Sequence, residues 1–229
     1  MVIYHPQTKE EAARLRNENA DSVYLAGGTD DLRLNGAADR ETALIDINPL
    51  IESGIEDIGN GIIRIGAGTT FQEMIDSPLV PPAVKSACRF NASFVKRNAS
   101  TVGGNIALGR DDSYLLALFT AYGVTINTTD GEMAVEEYGE RKSKAVITSF
   151  LLDTKKKAWV KRFGLASTSH AALIAAVAGG KYALSVKGSA LVWGDSPDIW
   201  KNALYVKDIT GSAEYKKYLA QTVFTLRRD

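Results

Sequence analysis

Hydrophobic and polar positions fall into many short segments along this chain. Thr8, followed three residues later by Glu11, forms a capping-box pair that predicts a polar helix over residues 9–19. Residues 22–26 read as a short buried strand that stops at Gly27-Gly28, and residues 42–47 as a second strand. Apolar runs at 55–58 and 62–65 flank Gly59-Asn60-Gly61, a strong hairpin signal. Gly66-Ala67-Gly68-Thr69-Thr70 leads into a short helix from Phe71, with Thr69 or Thr70 as its cap. Pro81-Pro82 opens another helix, which carries Cys88 as a small packing residue and ends near Asn91. Asp111-Asp112-Ser113 can start a further helix whose apolar residues include Leu115, Leu116, Leu118 and Phe119.

The remaining chain changes texture. Residues 124–127 form a strand, followed by a turn at Thr129-Asp130-Gly131 and a charged segment to about Lys144. Residues 146–152 are apolar, and Lys155-Lys156-Lys157 is a solvated loop. Three runs (159–165, 173–178 and 182–187) then predict an antiparallel meander with a tight turn at Gly179-Gly180, although alanines at 171–178 would suit a helix by propensity alone. A last helix is expected over residues 212–226, with Tyr215, Tyr218, Leu219 and Val223 at ordinary packing spacing.

Two stretches interrupt this pattern with chemistry. In Thr101-Val102-Gly103-Gly104-Asn105, paired glycines lie between a hydroxyl and an amide, so their backbone N–H groups are open to close approach. Leu25-Ala26-Gly27-Gly28-Thr29-Asp30 has the same character far upstream. Such neutral donor sets suit phosphate oxygens, and two of them suggest a ligand with two phosphates. Asp30 and Asp31 repel pyrophosphate, so the N–H groups of Gly27 to Thr29 are the expected donors. Asp30 can cap the following turn or accept from a ribose or backbone donor. Asp112 is either a plain helix-start acid or an acceptor for sugar hydroxyls or an adenine amine.

Composition then narrows the classes. The 229 residues carry 27 basic and 27 acidic side chains, with no basic field of the kind nucleic-acid binding needs. No apolar run approaches the ~20 residues that span a bilayer, and the start Met1-Val2-Ile3-Tyr4-His5-Pro6 lacks a signal-peptide pattern. The expected location is cytoplasmic. One cysteine and two sequence-remote histidines, His5 and His170, provide neither a disulfide nor a metal-ligand set, so any redox cofactor here must be organic.

Taken with Gly211-Ser212-Ala213-Glu214-Tyr215, the two glycine stretches resemble the FAD-binding (medium) subunit of the molybdenum hydroxylases, the xanthine dehydrogenase and carbon monoxide dehydrogenase flavoprotein family. The resemblance covers essentially the whole chain and is nearest a compact branch. It implies an α+β fold: two α/β FAD-binding subdomains of the vanillyl-alcohol oxidase/peptidoglycan reductase type, plus a small C-terminal α/β domain with an antiparallel sheet. The implied boundaries are 1–54, 55–148 and 149–229. By position, Tyr24, Ala26, Gly27, Gly28, Thr29 and Asp30 match the family's first FAD-pyrophosphate loop, and Thr101, Gly103, Gly104 and Asn105 match the second. Asp112 matches the acid at the adenosine half, Ile147 an apolar position beside the flavin, and Lys161 or Arg162 a basic residue at the isoalloxazine.

The resemblance further implies electron passage. Electrons would come from a molybdenum-binding subunit through two iron–sulfur clusters to FAD, then to an acceptor such as NAD. With one cysteine here, molybdenum and iron–sulfur would lie on separate partner subunits. The chain departs from the family by a segment from Asn105 to Asp112 about two residues short and lacking a Ser-Pro, an abbreviated region between Asp195 and Asp208 without an expected helix, and Leu165-Ala166-Ser167 in place of an arginine pair. Two other functions fit the same fold: a stand-alone FAD-dependent reductase, for which no proton donor or substrate domain is evident, and a flavin-free scaffold for assembly.

Overall fold

The structure is a computed structural model that describes residues 2–29, 43–91, 93–140, 145–166 and 169–225. Asp30, a candidate cofactor contact, lies outside the described residues. Three sheets organise the described chain. The first is parallel, in the order β1 (Ile3–Tyr4), β3 (Leu44–Asp46), β2 (Val23–Leu25). The second has five strands, in the order β4 (Ile55–Asp57), β5 (Ile62–Gly66), β8 (Ile147–Asp153), β6 (Thr125–Thr128), β7 (Gly131–Ala134), all antiparallel. The third is an antiparallel meander of β9 (Ala158–Gly164), β10 (Ala171–Ala178), β11 (Lys181–Val186) and β12 (Val192–Gly194). This is the mixed architecture expected from the sequence. β8 straddles residue 148 and hydrogen-bonds into the second sheet along its length, so that sheet extends to Asp153.

Local sequence accounts for most element ends. Thr8 accepts from the Glu11 amide and starts the helix Lys9–Glu18. Thr70, not Thr69, caps Phe71–Asp76, and its capping box with Glu73 satisfies two of the first-turn amides reciprocally. The Thr69 hydroxyl instead bonds Gly54 through both its N–H and its carbonyl, tying β5 to the end of the first layer. Ser113 caps Tyr114–Tyr122, which ends on Gly123 in the left-handed conformation at φ 63°. Asp111 and Asp112 therefore precede that helix.

Tyr114–Tyr122 is the buried centre of the molecule. Every residue in it except Leu116 is buried, because one face meets the second sheet, where the Phe119 and Phe150 rings pack tilted with centroids 5.6 Å apart, and the other packs on β10 and β11. A helix covered all round carries no polar stripe. The C-terminal helix Ala213–Thr225 packs on the far side of the third sheet, burying Leu219, Ala220, Val223 and Phe224 against Leu173, Ala175, Leu184 and Val186. β10 is thus enclosed on both faces, and its alanines fit a strand because larger side chains would hold the two helix layers apart. Tertiary enclosure overrides their helix propensity.

Five elements differ from expectation. Thr101-Val102-Gly103-Gly104-Asn105 is not a loop: Thr101 is the N-cap of a helix, Val102–Leu108. A short helix, Phe94–Arg97, precedes it. The charged segment after Asp130 holds β7 and the helix Val135–Glu140. A 3₁₀ helix, Pro197–Asn202, occupies the region expected to lack one.

Among the described residues one charge is buried outright. Lys216 on the C-terminal helix is 0 % exposed, with Nζ donating to the Lys187 carbonyl at 3.1 Å and pairing with Asp208 at 2.8 Å. Burial disfavours the Asp208 carboxylate, but hydrogen bonds from Lys216 and Thr210 outweigh it and bring its pKa down to about 2. A depressed carboxylate pKa contributes stability above the unfolded value and loses it as pH falls through the folded one. Lys216→Met is therefore expected to cost about 2 kcal/mol in urea unfolding at neutral pH, by removing both contacts from a buried site. It should also shrink the native chain's loss of stability between about pH 4 and pH 2.

Candidate functional site

The site is built where the first glycine turn leaves β2. Gly28 takes φ 63°, a conformation that side-chain-bearing residues rarely adopt, and turns the chain away from the strand. Gly27 sits so close to the backbone ahead of Thr101 that a Cβ on it would lie 1.8 Å from the Ala99 carbonyl oxygen. The Ser100 hydroxyl donates to the Thr29 hydroxyl at 3.1 Å across the same junction. Asn48 Nδ2 holds the Ala26 carbonyl at 3.0 Å, fixing the turn from behind. The two glycine stretches, seventy-odd residues apart in sequence, are therefore in contact.

Their amides differ sharply. The N–H groups of Val102, Gly103, Gly104 and Asn105 all have acceptors: the Thr69 carbonyl, the Ala67 carbonyl, the Thr101 hydroxyl and the Thr101 carbonyl. The expectation of a second set of open backbone donors is corrected accordingly, because these amides close the start of a helix and bind it to the β5 exit. Gly103 is required there by proximity, since a Cβ would meet Ala67 at 2.9 Å. By contrast, the amides of Gly27, Gly28 and Thr29 have no acceptor among the described residues. The second stretch still offers one donor: Ser113 Oγ bonds Asn105 Oδ1 at 2.6 Å, leaving Nδ2 without a partner among the described residues.

These groups line a cavity of about 830 Å³ between the first sheet, the helix Val102–Leu108 and the β9–β10 connection. Tyr24, Ala26, Gly27, Gly28 and Thr29 form one wall, and Thr101, Gly103, Gly104 and Asn105 another; Asp112 and Ile147 also face it. Burial pushes the Tyr24 hydroxyl up to about 12, so it stays a neutral donor. Lys161 does not reach the cavity: its ammonium lies over the Phe163 ring at 5.2 Å. Strand alternation turns Arg162 inward instead, where its guanidinium lies 5.7 Å from the Tyr114 ring centroid and Nη2 donates to Ser169 and Ala166 carbonyls at 2.6 and 3.1 Å.

Asp112 is not a free acceptor. Arg110 Nε donates to it at 2.9 Å, His170 Nδ1 lies 2.7 Å away and Lys187 Nζ 3.7 Å. Burial opposes its charge, but hydrogen bonds from Arg110 and His170 and the charges of Arg110 and Lys187 bring its pKa to about 2. His170, which has no ligand spacing in sequence, faces the cavity through this pair.

The donor set fits a dinucleotide. Among the described lining residues Arg16, Arg89, Lys96, Arg110 and Arg162 are cationic and Asp112 alone is acidic, which suits a diphosphate. The volume lies within the ~300–1,000 Å³ usual for ligand sites. Residues 1–152 match the family described as the FAD binding domain in molybdopterin dehydrogenase. The chain belongs to this family, and FAD is the cofactor that its cavity fits.

Particular relatives agree. The chain is 28% identical to YgfM, an uncharacterised protein of Escherichia coli (strain K12), over 238 residues covering 95% of this chain and 91% of the relative. It is 36% identical to the xanthine dehydrogenase FAD-binding subunit of Escherichia coli O157:H7 over 112 residues, 46% of this chain and 38% of that protein. Carbon monoxide dehydrogenase from Hydrogenophaga pseudoflava superposes with TM-score 0.84 at 21% identity, covering 99% of this chain and 95% of that one. Quinoline 2-oxidoreductase from Pseudomonas putida 86 gives 0.81 at 18%, covering 99% and 94%. At these identities the two structures establish the shared fold.

Gly27→Ala should be destabilised by roughly 1–3 kcal/mol, because its new methyl can be seated only by moving the Ala99 backbone away. Thermal unfolding measures this, and the cost is steric, since Gly27 itself is not in the left-handed region. Asp112→Asn should flatten part of the native chain's stability loss between about pH 4 and pH 2, since a carboxylate held near 2 contributes fully only above its unfolded pKa.

Proposed function

We propose that the chain is the FAD-carrying electron-transfer subunit of a molybdenum hydroxylase complex. The observation that carries this is the run of three open amides at Gly27, Gly28 and Thr29, held against Ala99–Ser100 at the mouth of a cationic cavity. Those amides bind the diphosphate, with Asn105 Nδ2 donating from the facing wall. Tyr24, Ala26, Thr101, Gly103, Gly104 and Ile147 shape the surrounding surface, and Asp112 acts on the cofactor through its own ion-pair cluster. When bound, FAD supplies the redox chemistry. The chain's part is to hold it, exclude bulk water on the buried side and leave one edge open.

Apolar side chains are exposed near the opening. Phe90 and Leu108 line the cavity and are 41% and 42% exposed, and Phe94 and Val95, on the short helix that packs against the one carrying Phe90, are 62% and 79% exposed. Exposed apolar side chains at a cofactor mouth suit a protein partner. We assign this face to the iron–sulfur subunit, with molybdenum on a further subunit, so that electrons enter here and leave to a soluble acceptor such as NAD. On the same scheme we divide the chain at residue 54 and at the end of β8, Asp153, rather than at 148. A cytoplasmic setting accords with it, and no helix among the described residues is long and apolar enough to cross a membrane.

Adding FAD to the purified chain and recording its visible spectrum tests the cofactor assignment. Bound flavin is expected, with FAD held on the order of 100-fold more tightly than riboflavin, which lacks the diphosphate. A chain that takes up no FAD is a flavin-free scaffold, and equal affinity for riboflavin would remove the amides' role. Val95→Asp should abolish co-purification with an iron–sulfur subunit while leaving FAD affinity unchanged.

A further inference from the structure

The cavity presents an imidazole where the sequence presents a carboxylate. His170 lies on the β9–β10 connection, with its side chain 57% exposed, and it lines the cavity. Its Nδ1 is 2.7 Å from Asp112 Oδ2. Asp112 itself is 11% exposed, and its two oxygens are occupied by Arg110 and His170, so little of it is left to meet a ligand directly.

The hydrogen-bond roles follow from charge. Arg110 on Asp112, and Lys187 on Asp111 at 2.6 Å, already match the two carboxylates with two cations. Lys187 also lies 3.7 Å from Asp112, and Arg162 is engaged with the carbonyls of Ala166 and Ser169, the latter immediately before His170. Both carboxylates therefore have cationic partners without the imidazole. An ionised carboxylate can only accept, so the hydrogen must be on Nδ1, and Nε2 of the neutral ring carries a lone pair. Nε2 has no partner among the described residues.

We infer that His170 is a cofactor-contacting residue, its Nε2 accepting a hydrogen bond from a hydroxyl or N–H group of the dinucleotide, with Asp112 as the positioning residue that fixes the ring and its tautomer. This rests on the assignment of the cavity to FAD. Asp112, matched by the family resemblance to an acid that touches the adenosine half, here acts one step removed. Arg162 supports the same arrangement by bracing the turn that carries His170.

The chain has only two histidines, which makes the inference directly readable. In ¹⁵N-labelled chain at pH 8, with His5→Gln identifying the His170 signals, the Nδ1–H tautomer is expected, and Asp112→Asn should weaken that preference because a carboxamide can also donate to Nδ1. An Nε2–H tautomer in the native chain overturns the inference, with or without cofactor. In FAD titrations followed by flavin fluorescence, His170→Ala should weaken binding about tenfold, the value of one hydrogen bond. His5→Ala, at a position off the cavity, should leave binding unchanged. Native chain that binds FAD with His170→Ala within twofold of it overturns this inference alone, whereas native chain that takes up no FAD overturns the cavity assignment beneath it.

Discussion

The close seat of Gly27 on the Ala99 carbonyl is the constraint on which the site depends. These two segments from different layers meet at the cavity with their backbones in contact, and they touch only because no Cβ stands between them. The Thr29–Ser100 hydroxyl bond and the Asn48 hold on Ala26 then keep the turn from sliding along that contact. With the turn pinned on both sides, its three amides stay open while being unable to reorient. A donor that cannot move costs a bound diphosphate little ordering, which is what preorganisation means in energetic terms.

The second glycine pair serves the same end by the opposite means. Its amides are consumed, and that consumption binds the helix Val102–Leu108 to Ala67 and Thr69 at the end of β5. The bridge between Thr70 and Thr101 adds a further tie. The helix becomes a fixed floor, and what it gives the cavity is a side-chain amide, Asn105, aimed by Ser113 from the central helix. One stretch supplies donors and the other supplies rigidity. The shared Gly-Gly pair conceals this difference.

The sequence carried most of the architecture because local rules set it. The capping pair Thr8–Glu11, the Gly59-Asn60-Gly61 turn with Asn60 at φ 56°, and the meander around Gly179-Gly180 all act within a few residues. The helix at Val102 was hidden because two glycines in its first turn argue against helix, while the bonds that enforce it come from Ala67 and Thr69, more than thirty residues away. Lys161 and Arg162 were indistinguishable by type, and only the strand's alternation sorts them. His170 was invisible because its partner lies 58 residues upstream and no spacing rule connects an imidazole on one layer to a carboxylate on another.

Those long-range contacts form one continuous system. Asp112 at the cavity shares Lys187 with Asp111, which also accepts from the Gly188 amide at 2.8 Å. The Lys187 carbonyl takes the buried ammonium of Lys216, which in turn holds Asp208. The polar chain therefore runs from the cavity across the third sheet to the C-terminal helix without a missing partner at any step. Buried charges persist only when matched in this way, and such matching fixes geometry more than it adds stability. The C-terminal layer, which contributes His170 and Arg162 as its own lining side chains, is consequently held in register with the glycine turns by charge as well as by packing. The small third sheet can thus complete a site whose main donors belong to the first.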